Sequence, residues 1–248
     1  MVKDNKAFFG FKRVSANVKQ GLVNHVFNNV SDKYDLMNDV MSFGIHRLWK
    51  TKLVSMIPAK SNKILDVASG TADVAIKIKQ HPNFQEAEVI LCDINSKMLD
   101  CGRARMIDNN LINKTAFVAG DAQNLPYCND IFDCYIIAFG IRNVPDISVA
   151  LKEAFRVLKP GGKFLCLELS MVDQSVLSKL YDLYSFNVIP FVGNILTKKR
   201  DAYQYLVESI RTFPRKEEFK NMIKEVGFKR VAFESMTFGV AAIHCGYK

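Results

Sequence analysis

The sequence predicts a doubly wound α/β fold, a Rossmann-like, mostly parallel sheet with helices on both faces. Three observations predict it. From about residue 62, short apolar runs alternate with helical segments in a β-α-β-α-β order. The residues with chemical potential stand just after those runs, where an open parallel sheet presents its ligand crevice. The chain of 248 residues, 49% hydrophobic and 24% charged, is globular in composition and long enough to bury a full core.

The elements follow in order. Residues 63–68 are an apolar run closed by Ser69-Gly70-Thr71, and Asp73–Gln80 is the helical segment after it. Residues 88–94 are the second run; Asn95 or Ser96 caps the next helix, 97–110. Thr115–Ala119 is the third, ending at Gly120-Asp121-Ala122. Residues 132–139 are nearly all apolar, as a strand buried on both faces is. Asp146 opens a helix to Leu158, stopped by Lys159-Pro160-Gly161-Gly162, and 163–169 is the fifth run. Pro214 begins a helix ending at Gly227, and 230–235 with 240–246 form a terminal hairpin. We divide the chain into an N-terminal extension, 1–60, helical over 19–60, and a main domain, 61–248, with a helical insertion at about 173–213. Both extra regions are aromatic-rich, which suits plain helix packing and a lid over a greasy substrate equally.

Charge narrows the partners. Lys+Arg is 34 against Asp+Glu 25, a formal charge of +9. That balance suits nucleic acid or an anionic membrane. The bases are scattered, 24 of the 34 are Lys, and no aromatic/basic stripe or nucleic-acid module is visible. Nucleic acid is therefore set aside, and transient contact with a membrane surface is kept. The six cysteines show neither C-x-x-C nor zinc spacing, so buried thiols and no metal are expected. No apolar stretch approaches the ~18 residues of a membrane span. The first twenty residues lack the apolar stretch of a secretory signal. The expected location is the cytoplasm, peripheral at the inner membrane face.

The strand-end residues choose the cofactor. A dinucleotide fingerprint, G-x-G-x-x-G, admits a diphosphate at a helix N-terminus. Here the turn is Ala68-Ser69-Gly70-Thr71-Ala72-Asp73, with Gly70 alone. The second run ends in Asp93, an acid placed to accept hydrogen bonds from the two ribose hydroxyls of an adenosine. Asp121-Ala122, after the third run, fits a site meeting an adenine amino group. A ribose-binding acid without a diphosphate loop points to S-adenosylmethionine (SAM), and a class I methyltransferase is favoured over a dehydrogenase. Each position also has an ordinary reading, since a strand-end Asp is often a helix cap.

The segment Tyr34-Asp-Leu-Met-Asn-Asp-Val-Met-Ser-Phe-Gly-Ile-His-Arg-Leu-Trp49 resembles the N-terminal signature of the ubiquinone/menaquinone biosynthesis C-methyltransferase (UbiE) family. Arg156-Val-Leu-Lys-Pro-Gly-Gly-Lys-Phe-Leu-Cys-Leu-Glu-Leu-Ser170 resembles its second signature, and 139–144 and 181–214 are similar as well. The likeness runs from about residue 20 to the C-terminus. It implies a seven-stranded fold with the last strand antiparallel, and SAM contacts at Thr71, Asp93, Asp121 and Ala122. Gly70, Asp66 and Ala138 complete the candidate cofactor set. Ala72 stands where a second glycine is usual, and Ala138 where a serine is common, so the contact at 138 is through backbone or absent.

The resemblance implies methylation of a ring carbon of a polyprenylated quinol, a 2-methoxy-6-polyprenyl-1,4-benzoquinol or a demethylmenaquinol. Such a carbon attacks once a neighbouring hydroxyl is deprotonated, so the site must stabilise a phenolate. Arg142 is the first choice for that role, with a surface ion pair to Asp146 as its ordinary alternative. Asn143 donates to the oxyanion. In the first signature, Tyr34 stacks on the ring, Asp35 is a base or hydroxyl acceptor, and His46 is a general base by its pKa. Helix packing is the plain alternative for His46 and capping for Asp35. Competing readings are an O-methyltransferase of a quinol or small phenol, and a non-catalytic SAM-binding subunit of a quinone-synthesis assembly. A homodimer is a further option.

Overall fold

The computed structural model describes residues 6–30, 39, 42, 44–171 and 200–248. The chain opens on a hairpin, β1 (Lys6–Phe9) and β2 (Lys12–Ser15), which forms a two-stranded sheet of its own. The sequence reading had placed no strand here. Two four-residue strands closing on Gly10 at φ +57° leave too short a pattern for periodicity to register. Helix α1 (Ala16–Val30) follows directly, and α2 (His46–Ser55) lies beyond it.

Every apolar run from residue 63 onward is a strand. β3 (Lys63–Val67), β4 (Glu88–Asp93), β5 (Thr115–Ala119), β6 (Phe132–Ala138), β7 (Leu158–Leu169), β8 (Lys229–Met236) and β9 (Ala241–Tyr247) build one seven-stranded sheet, in the order β5-β4-β3-β6-β7-β9-β8. β3 to β7 pair in parallel, and β9 runs antiparallel to both of its neighbours. The order reverses between β3 and β6, so the crevice opens beyond the carboxyl ends of these central strands.

The connecting helices are α3 (Asp73–Gln80), α4 (Ser96–Asp108), α5 (Ile147–Val157), α6 (Arg200–Thr212) and α7 (Lys216–Val226). Their starts follow local rules. Asn95 Oδ1 accepts from Met98 N at 3.2 Å and Asp146 Oδ1 from Val149 N at 3.1 Å, satisfying orphan amides of the first turns. Gly227, at φ +118°, ends α7 in the left-handed conformation. β7 begins at Leu158, five residues before the expected start, because the turn after α5 is already extended and Leu158 pairs with Phe132.

Alternation along the strands feeds two cores. Ile64, Leu91, Ile136 and Leu165 pack with Trp49, Leu53, Ile78, Met106 and Leu206 on one face. Leu65, Ile90, Tyr135 and Phe164 pack with Leu151, Ala154, Phe219 and Ile223 on the other. All six cysteines are free thiols, with Cys92, Cys134 and Cys166 buried. Of the 173–213 insertion, the structure describes only the part from 200, chiefly α6.

Candidate active site

The cleft lies over the ends of β3, β4, β5 and β6 and is open to solvent, with about 650 Å³ of empty space when the solvent at its mouth is counted. Ala68 and Gly70 follow β3, Asp93 ends β4, Asp121 and Ala122 follow β5, and Phe139, Gly140 and Asn143 follow β6; all line it. Gln20, Val23 and Asn24 of α1 form its wall. The strand-end turns are tight. Ala68 and Phe139 take φ of +51° and +56°, and a Cβ on Gly140 would collide with that of Ala68. Ala72, at φ +68°, also sits in the left-handed region, which is the physical reason a glycine suits that position.

Asp93 is fixed by backbone amides. Its Oδ2 accepts from Gly70 N and its Oδ1 from Asn95 N, each at 2.8 Å. Each oxygen keeps a second acceptor site for a ligand. Burial pushes the carboxyl above its usual range, while backbone N–H groups of Asn95, Gly70 and Ile94 pull it back. No Lys or Arg is among the described residues lining the cleft, and Asp93 and Asp121 both are. A diphosphate would find no cation here, whereas a phosphate-free, positively charged adenosyl ligand finds two acids.

Thr71, Asp66 and Ala138 do not line this cleft. They line a small neighbouring pocket that shares Ala68, Gly70 and Phe139 with it, together with Lys50, Ser69 and Asp73. Asp66 is fully buried, and burial, reinforced by Asp93, pushes its carboxyl up to about 8. Asp66 Oδ2 and Ser69 Oγ have no partner among the described residues. Buried polar atoms left unpaired beside a cavity are the mark of a missing ligand group. Lys50 Nζ and Arg105 Nη2 each reach Asp73 at 2.6 Å, and burial of Asp73 is outweighed by these cations, which hold it down at about 2.

Arg142 is placed differently from the expectation. It is not a cleft-lining residue; it forms a buried ion pair with Glu168, and Asp146 caps α5. Its Nη1 donates to Glu168 Oε1 at 2.5 Å and to Phe139 O at 2.7 Å, in a pair that is almost wholly buried. β6 and β7 are sheet neighbours, so Glu168 near the end of β7 meets the turn after β6. Asn143 does line the cleft, and its Oδ1 accepts from the Tyr205 hydroxyl at 2.9 Å. Lys19 donates to the carbonyls of Arg142 and Val144, at 3.2 and 2.8 Å, and burial lowers it to about 8. Lys19, Glu168 and Tyr205 escaped the sequence reading; no pattern marks a single Lys on α1 or one Tyr among several.

His46 stands apart from the cleft. Its Nε2 lies 2.9 Å from Asp39 Oδ1, and Arg47 donates to the same carboxylate. Burial lowers its pKa, against the pull of Asp39, and it lines a separate cavity with Asp73, Lys77 and Arg105. Asp39, His46 and Arg47 of the first signature are thus tied to one another, and Trp49 Nε1 donates to Thr237 Oγ1 at 2.9 Å. Packing accounts for this half of the signature. Tyr34, Asp35 and Asn38 lie outside the described residues.

The family model of the ubiE/COQ5 methyltransferase family matches residues 14–248. The chain belongs to this family. The chain is 52% identical over 246 residues to the ubiquinone/menaquinone biosynthesis C-methyltransferase UbiE of Rickettsia bellii (strain OSU 85-389), covering 98% of this chain and 99% of that one. It is 50% identical over 242 residues to the protein of the same name from Rickettsia prowazekii (strain Madrid E), covering 97% and 98%. In fold it is similar to a SAM-dependent methyltransferase of Thermotoga maritima described as a possible histamine N-methyltransferase. The TM-score is 0.65, with 19% identity and coverage of 91% and 99%. A SAM-dependent methyltransferase of Aquifex aeolicus superposes with TM-score 0.58, at 12% identity and coverage of 86% and 97%. This member of the ubiE/COQ5 family is an enzyme, a SAM-dependent C-methyltransferase.

Proposed function

We propose that the protein methylates a ring carbon of a polyprenylated quinol, a 2-methoxy-6-polyprenyl-1,4-benzoquinol or a demethylmenaquinol, in ubiquinone or menaquinone biosynthesis. The observation that carries this is identity near 50% over essentially the whole length of relatives bearing that name. SAM, when bound, supplies an electrophilic methyl group. Asp93 would hold its ribose hydroxyls, Asp121 and Ala122 its adenine, and the unpaired Asp66 and Ser69 atoms its amino-acid end. Thr71 and Ala138 serve that same end through the smaller cavity.

The chain's own part in the chemistry lies at the end of β6. Asn143, oriented by Tyr205 at its Oδ1 and by Phe139 O, to which its Nδ2 donates at 3.4 Å, has a second amide N–H for the quinol oxygen and stabilises the phenolate that makes the ring carbon nucleophilic. Arg142 acts as a positioning residue, holding Phe139 O and Glu168 so that the 139–144 turn keeps its shape. Val23, Val67, Phe139 and Val144 give the apolar wall a ring substrate packs against. No described helix is long and apolar enough to cross a membrane.

The test is transfer from labelled SAM to short-tailed demethylated benzoquinol and naphthoquinol, each reduced and oxidised, with the methyl position assigned by NMR. Ring-carbon methylation of the reduced form alone is expected. A methyl ether would replace this reading with O-methylation.

A further inference from the structure

We propose that the β1–β2 hairpin and the outer face of α1 dock on an anionic bilayer surface. The purpose of such docking rests on the polyprenylated substrate proposed above; the observations do not. Phe8 and Phe11 are 42% and 56% exposed, and Val18 and Leu22 are 49% and 37% exposed. Single exposed apolar residues are ordinary on a soluble protein, but these four belong to one continuous segment. Phe11 stands at the hairpin turn, and Val18 and Leu22 are four residues apart on one face of the helix that follows.

Along residues 6–30 the formal charge has one sign, although Lys19 is buried on the carbonyls of Arg142 and Val144 and the Glu208 carboxylate meets the hairpin at Phe11 N. Residues 6–30 contain Lys6, Lys12, Arg13 and Lys19 and no Asp or Glu. Lys12 and Arg13 are exposed, and the Arg13 guanidinium lies 5.3 Å from the centre of the Phe8 ring. Exposed aromatic side chains flanked in sequence by Lys12 and Arg13 match an interface of acyl chains under anionic headgroups. Glu208, which accepts from Phe11 N at 3.2 Å, is engaged with the hairpin backbone and with Gln204.

The position of α1 gives the surface its use. Gln20, Val23 and Asn24 line the cleft, whereas Val18 and Leu22 lie on the opposite side of the same helix. α1 is therefore the wall between the docking face and the site, and a ring reaches the cleft around it while its isoprenoid tail stays in lipid.

The test is co-sedimentation of the full chain with vesicles of phosphatidylcholine alone or mixed with phosphatidylglycerol, run beside methyl transfer to a short-tailed, water-soluble quinol. Phe8→Ser with Phe11→Ser is expected to weaken binding to the mixed vesicles by about tenfold or more. Lys12→Gln with Arg13→Gln is expected to erase the preference for phosphatidylglycerol, about fivefold per charge. Both variants keep wild-type melting temperature and wild-type transfer to the soluble quinol. Failure of the wild-type protein to bind mixed vesicles, or unchanged binding by both variants, overturns the proposal. So does a wild-type dimer that the Phe variant converts to monomer, since the face would then belong to a second copy of the chain. Vesicle binding that follows these variants in a protein inactive on every quinol supports the docking face and overturns the substrate reading alone.

Discussion

The Tyr205 hydroxyl donates to Asn143 Oδ1 at 2.9 Å across 62 residues of sequence, joining α6 to the turn after β6. The Tyr205 ring also stacks on Phe9, centroid to centroid at 4.3 Å, so the N-terminal hairpin, α6 and the cleft meet at one side chain. Burial raises the phenol's pKa, which keeps the hydroxyl protonated and donating. This contact fixes which way the Asn143 amide faces.

Tyr205→Phe keeps the stacked ring and removes only the donor. The expected result is a kcat lower by about tenfold, roughly 1.4 kcal/mol, with SAM affinity unchanged by calorimetry. Equal losses in turnover and SAM affinity would instead make Tyr205 part of the cofactor site.

Arg142→Ala and Glu168→Ala each leave a lone buried charge and are expected to destabilise the fold by about 3–5 kcal/mol in urea denaturation. The charge-free pair Arg142→Met with Glu168→Leu is expected to recover most of that loss. Recovered stability with restored turnover would confirm that Arg142 acts by holding the turn. Recovered stability without turnover would assign it direct contact with the substrate.

Asp66 titrates at about 8 in the fold, against about 4 in an unfolded chain. The folded state therefore binds more protons between those values, and the stability this group contributes falls as pH rises through that window. Asp66→Asn does not titrate, so in ligand-free protein its melting temperature should gain on wild type from pH 5 to pH 8. SAM affinity should fall at the same time, a gain in stability at the expense of binding. A melting-temperature gap that does not change with pH would show Asp66 ionising as an ordinary carboxylate.

His244 is held neutral. Burial lowers it to about 4, and its Nε2 donates to Lys216 O at 2.9 Å, with Lys216, Lys220 and Glu217 as its charged neighbours. An unfolded histidine titrates near 6.5, so the unfolded chain binds more protons between about 4 and 6.5. The contribution to stability is whole above 6.5 and is lost as pH falls toward 4, up to about 3 kcal/mol. Asp66 slopes the other way over part of this range, so the useful quantity is wild type minus His244→Gln, a variant that keeps an N–H donor. That difference should shrink as pH falls from 7 to 4.5; a constant difference would show that His244 is charged in the fold.

Much of this molecule is legible locally. The helix at Asp73–Gln80 and the strand at Thr115–Ala119 are where the pattern puts them, because periodicity and capping act within a few residues. That Asp93 lines the cleft was legible because a strand of known direction ends at it. Arg142 was misread because its position named a charge without its partner. The two signatures also look uniform on paper, yet Asp39, His46, Arg47 and Glu168 are joined by contacts within the fold, while Asp93 and Asn143 face a cleft.

By itself the sequence determined the α/β alternation, the absence of a diphosphate loop, and the placing of Gly70, Asp93 and Asp121 at strand ends. Each is a property of a short window, set by side-chain period and backbone freedom. The tertiary structure alone decided that Glu168 pairs with Arg142, that Tyr205 aims Asn143, that Lys19 holds the 142–144 backbone, and that burial pushes the Asp66 carboxyl up. Those facts depend on which strands become neighbours and on how far water is excluded between them. Contacts spanning 26 to 125 residues leave no periodic trace in the sequence.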